Sequence, residues 1–365
     1  MHKRVCPCFK FYTKNKIQVL GLFLNLTAYA MILALVIGDS YYRGTLLPEV
    51  YTQQPDPISL PNPIALITSM KQRIGIDMGG TKTEIMLTGS NPQEILQRKR
   101  VPTRQEKGYT FIIEQTANLI KDYVKLCDED PLIGIGIPGS VNPETNLVRN
   151  ANTVCLNGNP LKIDLEERVQ LPIFVENDAN CFALSEALLG AGKGKDIVIG
   201  LIMGTGMGGG IIKNGKIWSG RHGIAGEFGH TSIDMNGRDC WCGEKGCLER
   251  YISGPALEKQ YREESGQELG LREIVARFEK GEDHFAKKVI EDFLMFFGRG
   301  IANVITAFDP DLVVIGGGVS NIPYLYTTGV EYVSRQVFSD HFTTPIVKNQ
   351  LGDSSGIFGA ALLAG

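Results

Sequence analysis

The sequence predicts an α/β protein of two related halves, on three observations. From Arg73 onward, short apolar runs alternate with helical stretches, the pattern of sheets layered with helices. Two glycine-rich turns, at residues 76–83 and 204–210, each follow an apolar run and precede a hairpin pattern. The 365 residues are enough for two domains, each with its own core.

In the first half, 73–78, 83–88 and 95–101 read as a strand, its hairpin partner and a third strand. Residues 107–127 carry Phe111, Ile112, Leu119, Ile120, Tyr123 and Val124 at helical spacing. Residues 132–137 and 172–177 read as buried strands, and 178–190 as a helix rich in Ala and Leu. The second half repeats this plan. A strand at 196–204 leads through a glycine turn into the hairpin at 211–218, then a long helix near 284–307, a strand at 311–317 and further helices. The expected domains are 73–190 and 191–365, the last helix packing back on the first lobe.

Residues 1–72 stand apart. Lys3, Arg4, Lys10, Lys14 and Lys16 precede an uncharged, mostly apolar stretch at 17–38, followed by a proline-rich linker. The stretch is long enough to span a bilayer and reads as a signal anchor. The positive-inside rule would then place everything after it outside the cytoplasm. Met70 opens a run that leads into the first strand and is a plausible native start.

Composition narrows the function. A net charge of -3 and a pI near 6.0 offer no basic field for nucleic acid. Forty-three glycines, about 12% of the chain against an average near 7%, cluster in short runs where backbone must approach something closely. The first run is Ile76, Asp77, Met78, Gly79, Gly80, Thr81, Lys82 and Thr83. Its N–H groups and the Thr81 hydroxyl suit phosphate oxygens, and Asp77 suits a hydrated Mg²⁺. The second run is Gly204, Thr205, Gly206, Met207, Gly208, Gly209 and Gly210, and two such turns favour a phosphate clamp over two empty hairpins. A third, Gly316 to Gly318, could let an adenine or ribose pack on backbone.

Asn177 and Asp178 end a buried-type strand, where ligands of α/β proteins collect. A carboxylate there can accept a hydroxyl proton, although Asp is equally suited to cap the following helix. Glu227 and His230, between glycines that would leave room for a polyol, fit vicinal hydroxyls. His230, Cys240, Cys242 and Cys247 have the residue types and spacing of a closed tetrahedral zinc site. Zinc would also orient His230. Cys127, Cys155 and Cys181 read as small packing groups.

Taken in order, GIDMGGTKTE, GIGIPGS, NDANCFALSEA, GTGMGGG, GIAGEFGH, CWCGEKGCLE and DPDLVVIGGG resemble the ROK family of sugar kinases and sugar-responsive repressors, over about residues 73–365. The resemblance implies a two-lobed actin-like ATPase (ribonuclease H-like) fold with a small zinc loop. It implies Asp178 as general base and zinc on His230, Cys240, Cys242 and Cys247. ATP phosphates would lie over Gly75, Ile76, Asp77, Met78, Gly79, Gly80, Thr81 and Lys82, and over Gly204 through Gly210 and Ile211. Sugar contacts would fall to Gly139, Asn152, Asn177, Asp178, Glu227, His230 and Glu249. Residues 136–158 are similar to those of fructokinases, whereas NDANCFALSEA and DPDLVVIGGGVSN are as similar to those of N-acetylglucosamine kinases.

The expectation is ATP- and Mg²⁺-dependent phosphorylation of a hexose of the fructose, mannose or glucose type, with N-acetylglucosamine as the alternative. A non-catalytic, sugar-sensing or transcription-regulating protein is the alternative of another class. It is weakened because Asp77, Asp178 and both turns are intact, and residues 1–72 carry no helix-turn-helix pattern. The need for ATP argues for a cytoplasmic location; a homodimer is expected, touching membrane only if residues 17–38 insert.

Overall fold

The computed structural model describes residues 71–364; residues 1–70, with the apolar stretch at 17–38, the proline-rich linker and Met70, lie outside it. Two five-stranded mixed sheets organise the described chain. The first has the order β3-β2-β1-β4-β7 and the second β10-β9-β8-β11-β12. In both, a central strand pairs antiparallel with a meander on one side and parallel with two strands on the other. The halves are therefore the same topology used twice.

In the first sheet β1 (Arg73–Met78), β2 (Lys82–Thr88) and β3 (Ile95–Pro102) form the meander. Beside β1 lie β4 (Leu132–Ile137) and β7 (Ile173–Asn177). A short hairpin, β5 (Ser140–Val141) with β6 (Val148–Arg149), leaves the end of β4. Helix α1 (Gly108–Val124) covers this sheet together with α2 (Leu161–Val169). The buried side of α1 is Ile112, Ile113, Thr116, Ala117, Ile120 and Tyr123. Phe111 and Leu119, expected on that side, are only partly covered, because the stripe is centred on Ile113 and Ala117. The Lys107 ammonium lies 4.7 Å over the Phe111 ring instead.

In the second sheet β8 (Ile197–Met203), β9 (Met207–Lys213) and β10 (Lys216–Ile217) form the meander, and β11 (Leu312–Gly316) and β12 (Ile346–Lys348) complete it. Asn214 and Gly215, both at positive φ (51° and 72°), make the tight turn between β9 and β10, the Asn-Gly pairing that a two-residue hairpin selects. Helices α4 (Glu249–Ile252), α5 (Gly254–Ser265), α6 (Leu271–Lys280), α7 (His284–Phe308) and α8 (Thr328–Ser334) surround the larger core. Asp283 caps α7 through the N–H groups of Phe285 and Ala286.

Two helices lie between the sheets. Helix α3 (Asp178–Leu188) follows β7 yet packs on the second sheet, and α9 (Ser355–Leu362), last in sequence, packs on the first. Glycines make both contacts close. A Cβ at Gly200, Gly208 or Gly210 would strike Ala179 or Ala183 of α3 at 2.7–2.9 Å. A Cβ at Gly75 or Gly134 would strike the backbone of α9. Where α3 crosses α9, Gly359 lies against the backbone of Cys181. The fully buried Glu186 of α3 is a second tie to the C-terminal segment. It accepts hydrogen bonds from the N–H groups of Ala191, Gln350 and Leu351 and from the Ser355 hydroxyl, at 2.9–3.2 Å. Among the described residues no helix is long and apolar enough to cross a membrane.

Candidate active site

The β7–α3 junction fixes the acidic centre. Asn177 is the residue that caps α3, accepting from Ala179 and Asn180 N–H, while its amide donates to the Gly139 carbonyl at 3.0 Å. Asp178, the first helical residue, is thus free of the capping role that would have been its alternative use. Its half-buried carboxyl accepts the Ala179 N–H at 2.8 Å. Burial first, then the negative charges of Asp77 and Glu227, push its pKa up to about 7. These three acids therefore share one neighbourhood although 77, 178 and 227 are remote in sequence. Asp77, at the end of β1, is itself raised, by burial and then by Glu84. Glu84 is held in its ionised form by hydrogen bonds from Arg98 and Arg100.

The first glycine turn is closed by Gly79 N–H on the Lys82 carbonyl at 2.9 Å and by the Thr103 hydroxyl on the Gly79 carbonyl at 2.6 Å. Gly80 is neither crowded nor at positive φ: the nearest atom to an added Cβ, the Thr153 Oγ1, is 3.5 Å away. That hydroxyl is buried and has no partner. Gly204 and Gly318 share this property, since an added Cβ would meet nothing closer than 4.0 Å and φ is not positive. Nothing inside the protein demands glycine at these three positions. The open space over them suits close approach of a ligand to backbone.

The second turn is shorter than the sequence suggests. Only Gly204, Thr205 and Gly206 turn; Met207, Gly208, Gly209, Gly210 and Ile211 lie within β9 and pair with β8 from Met203 back to Ile199. Gly208 and Gly210 make room for α3, and Gly209 for Gly226 and Phe228. Gly208 and Gly210 therefore serve the packing of the Asp178 helix and Gly209 the packing of the segment that carries Glu227, which leaves 204–206 as the turn itself. Gly226 and Gly229 are likewise filled by the β9 backbone at Gly209 and Met207, rather than leaving room for a polyol.

Around the acids, Gly139 sits against Ala151 and Arg149, and the Asn152 N–H donates to the Pro138 carbonyl. Asn152 and Glu227 expose their side chains. Glu249 is committed elsewhere. One carboxylate oxygen accepts the Met207 N–H at 2.9 Å, the other the Trp241 Nε1–H at 2.9 Å. Trp241 is a residue that sequence reasoning passed over, because a lone exposed Trp between two cysteines has no motif of its own.

The cysteine loop folds as a tight knuckle. Gly243 and Gly246, at φ of 97° and 70°, reverse the chain, and the Cys240 N–H donates to the Glu244 carbonyl. The ligand atoms of His230, Cys240, Cys242 and Cys247 all lie within 4.8 Å of one another. Cys242 and Cys247 sulfurs are 3.6 Å apart, and Cys240 Sγ lies 3.7 Å from His230 Nδ1. A tetrahedral zinc about 2.3 Å from each sulfur separates its sulfurs by about 3.8 Å, so the donor set and its spacing fit that ion. Without a cation, burial and the neighbouring thiols push the Cys247 thiol upward.

Residues 73–365 match the ROK family as a whole. The chain belongs to the ROK family. Its similarity to other ROK proteins extends over most of their length. An N-acetyl-D-glucosamine kinase from Yersinia enterocolitica is 39% identical over 299 residues, which are 79% of this chain and 98% of that one. A ROK hexokinase from Thermus thermophilus superposes with a TM-score of 0.73 at 32% identity, covering 80% of this chain and 97% of that chain. A ROK family glucokinase from Streptomyces griseus, solved with glucose and AMPPNP, gives 0.66 at 31% identity, covering 80% and 99%. The fold is thus the two-lobed actin-like ATPase architecture of ROK proteins.

Proposed function

We propose that this protein transfers the γ-phosphoryl group of ATP to a hydroxyl of N-acetyl-D-glucosamine or a closely related hexose. The observation that carries the reading is Asp178. Its carboxyl is held near a pKa of about 7, clear of the helix cap, with Asp77 and Glu227 as its charged neighbours. A general base is most effective when its pKa is near the working pH.

In this reading the sugar lies against Gly139, Asn152, Asn177, Glu227 and His230, with the acceptor hydroxyl at Asp178. The phosphates lie along Gly79 to Lys82 and Gly204 to Gly206, where N–H groups and the Thr81 hydroxyl stabilise the charge spreading over the transferred group. Asp77 would hold Mg²⁺, which supplies charge neutralisation between phosphates. Burial and neighbouring negative charge raise both Asp77 and Asp178, and a cation bound at Asp77 would relieve that crowding of charge by favouring the ionised carboxylates. Exclusion of water around the acceptor hydroxyl would let Asp178 take its proton as the phosphoryl group arrives. His230, Cys240, Cys242 and Cys247 would hold a structural zinc, which fixes the loop and leaves His230 Nε2 free for the sugar.

The choice of sugar rests on the relatives. Motifs alone point equally to fructokinase-type hexoses and to N-acetylglucosamine. The Yersinia enterocolitica relative, similar over nearly its full length, is an N-acetyl-D-glucosamine kinase, and this moves the preference to that sugar. Turnover with MgATP should be fastest on N-acetylglucosamine and slower on glucose, mannose and fructose. Faster turnover of fructose or mannose would return the protein to the fructokinase-type reading.

A further inference from the structure

Trp241 stands between two of the metal-ligating cysteines and reaches two places at once. Its ring meets the His230 imidazole edge-on, with centroids 4.8 Å apart and an interplanar angle of 89°. Its Nε1–H donates to Glu249 Oε1 at 2.9 Å. The other oxygen of that carboxylate accepts the N–H of Met207 at 2.9 Å. Met207 closes the second glycine turn, whose Gly204 N–H bonds the Gly206 carbonyl at 2.9 Å. A side chain at Gly206 would have to push the Glu249 carboxylate aside, since Oε2 would lie 2.6 Å from its Cβ. One carboxylate thus ties the cysteine loop to the phosphate turn, and its position depends on the indole.

We propose that Trp241 is a positioning residue that couples metal binding in the cysteine loop to the order of the Gly204–Met207 turn, and so to nucleotide binding. The nucleotide part rests on the reading given under Proposed function. A hydrogen bond between a backbone N–H and a carboxylate is charge-assisted and about twice as strong as a neutral one. It holds its geometry only while the carboxylate is fixed. Glu249 begins a helix of four residues and has no cation partner among the described residues, so the indole N–H supplies the second point of attachment. When the metal holds Cys240 and Cys242, the backbone on both sides of Trp241 is fixed and the indole is aimed. When the metal leaves, Trp241, Glu249 and the turn loosen together. The metal would then serve the nucleotide side of the site as well as His230.

The test is hydrogen exchange across Gly204–Met207 in wild type and Trp241→Phe, each with zinc and after chelation, together with zinc content and AMPPNP affinity. Trp241 is 64% exposed, so Phe costs little buried packing, keeps an aromatic ring beside His230 and removes the N–H that holds Glu249. The variant should keep one zinc per chain. Exchange in the turn should quicken about tenfold, the scale of one hydrogen bond to a charged group, and AMPPNP should bind correspondingly more weakly. Chelation should quicken the same segment in wild type and add little in the variant. Wild-type exchange rates in zinc-loaded Trp241→Phe would overturn the proposal. A turn that responds as described in a chain that binds no AMPPNP would instead leave the coupling standing and remove the kinase reading.

Discussion

Replacing Asp178 by asparagine is expected to lower kcat by about 10²–10⁴ while leaving ATP affinity nearly unchanged. The substitution is clean because Asn177, not Asp178, caps α3. Asn at 178 also keeps an oxygen for the Ala179 N–H that now bonds Oδ1 at 2.8 Å. What is lost is the ability to take a proton. In wild type, kcat/KM should fall as pH drops below about 7, because the base must be ionised and its pKa is near 7. Stability should move the opposite way. The folded pKa lies above the unfolded value of about 3.9, so the folded state binds the proton more tightly. That stabilising contribution is full below about pH 4 and is lost as pH rises through 7. The asparagine variant should therefore melt above wild type at pH 8, by roughly 1 kcal/mol once solvent screening of a half-buried group is allowed for, and the two should converge near pH 4. Near-normal kcat in the folded variant would remove Asp178 as the base.

Gly359→Ala should be among the most damaging single methyls in the described chain. Gly359 lies where α9 crosses α3, and an added Cβ would fall inside the carbonyl of Cys181 and 2.7 Å from its Cα. Those atoms belong to a helix backbone in the interior, so relief requires the two helices to part. Overpacking of this kind typically costs 1–3 kcal/mol, and more where backbone is struck; about 3 kcal/mol or more is expected here. The loss should extend to activity, since α3 carries Asp178 and α9 packs on the β1 strand that carries Asp77. Thermal unfolding within a degree or two of wild type would mean the crossing is looser than the backbone contact requires.

Much of the fold was legible in local pattern. The β1–β2–β3 meander, the β4 and β7 strands and the Asn214-Gly215 hairpin follow from alternation, apolar runs and turn chemistry, all short-range properties. The Cys and His spacing brought four metal-ligand groups together because the knuckle is closed by neighbours in sequence. Other features depended on partners distant in the chain. The glycines at 208–210 look like part of a turn until β9 is seen packed between α3 on one face and Gly226 and Phe228 on the other. Gly226 and Gly229 look like room for a sugar until β9 fills them. Glu249 could be named from its motif, but its bonds to Met207 and Trp241 arise only from the folded loop. The closeness of Asp77, Asp178 and Glu227 is equally tertiary, as is the burial that contributes most to the raised Asp178 pKa.

Phosphoryl transfer to a sugar is best measured as ADP formation from MgATP with and without N-acetylglucosamine, with the sugar product analysed in the same reaction. ADP release should depend on the sugar and be matched one for one by sugar phosphate, with little ATP consumed when sugar is absent. Sugar binding without any ADP or sugar phosphate would contradict it, and would assign the ROK fold in this chain to sensing rather than catalysis.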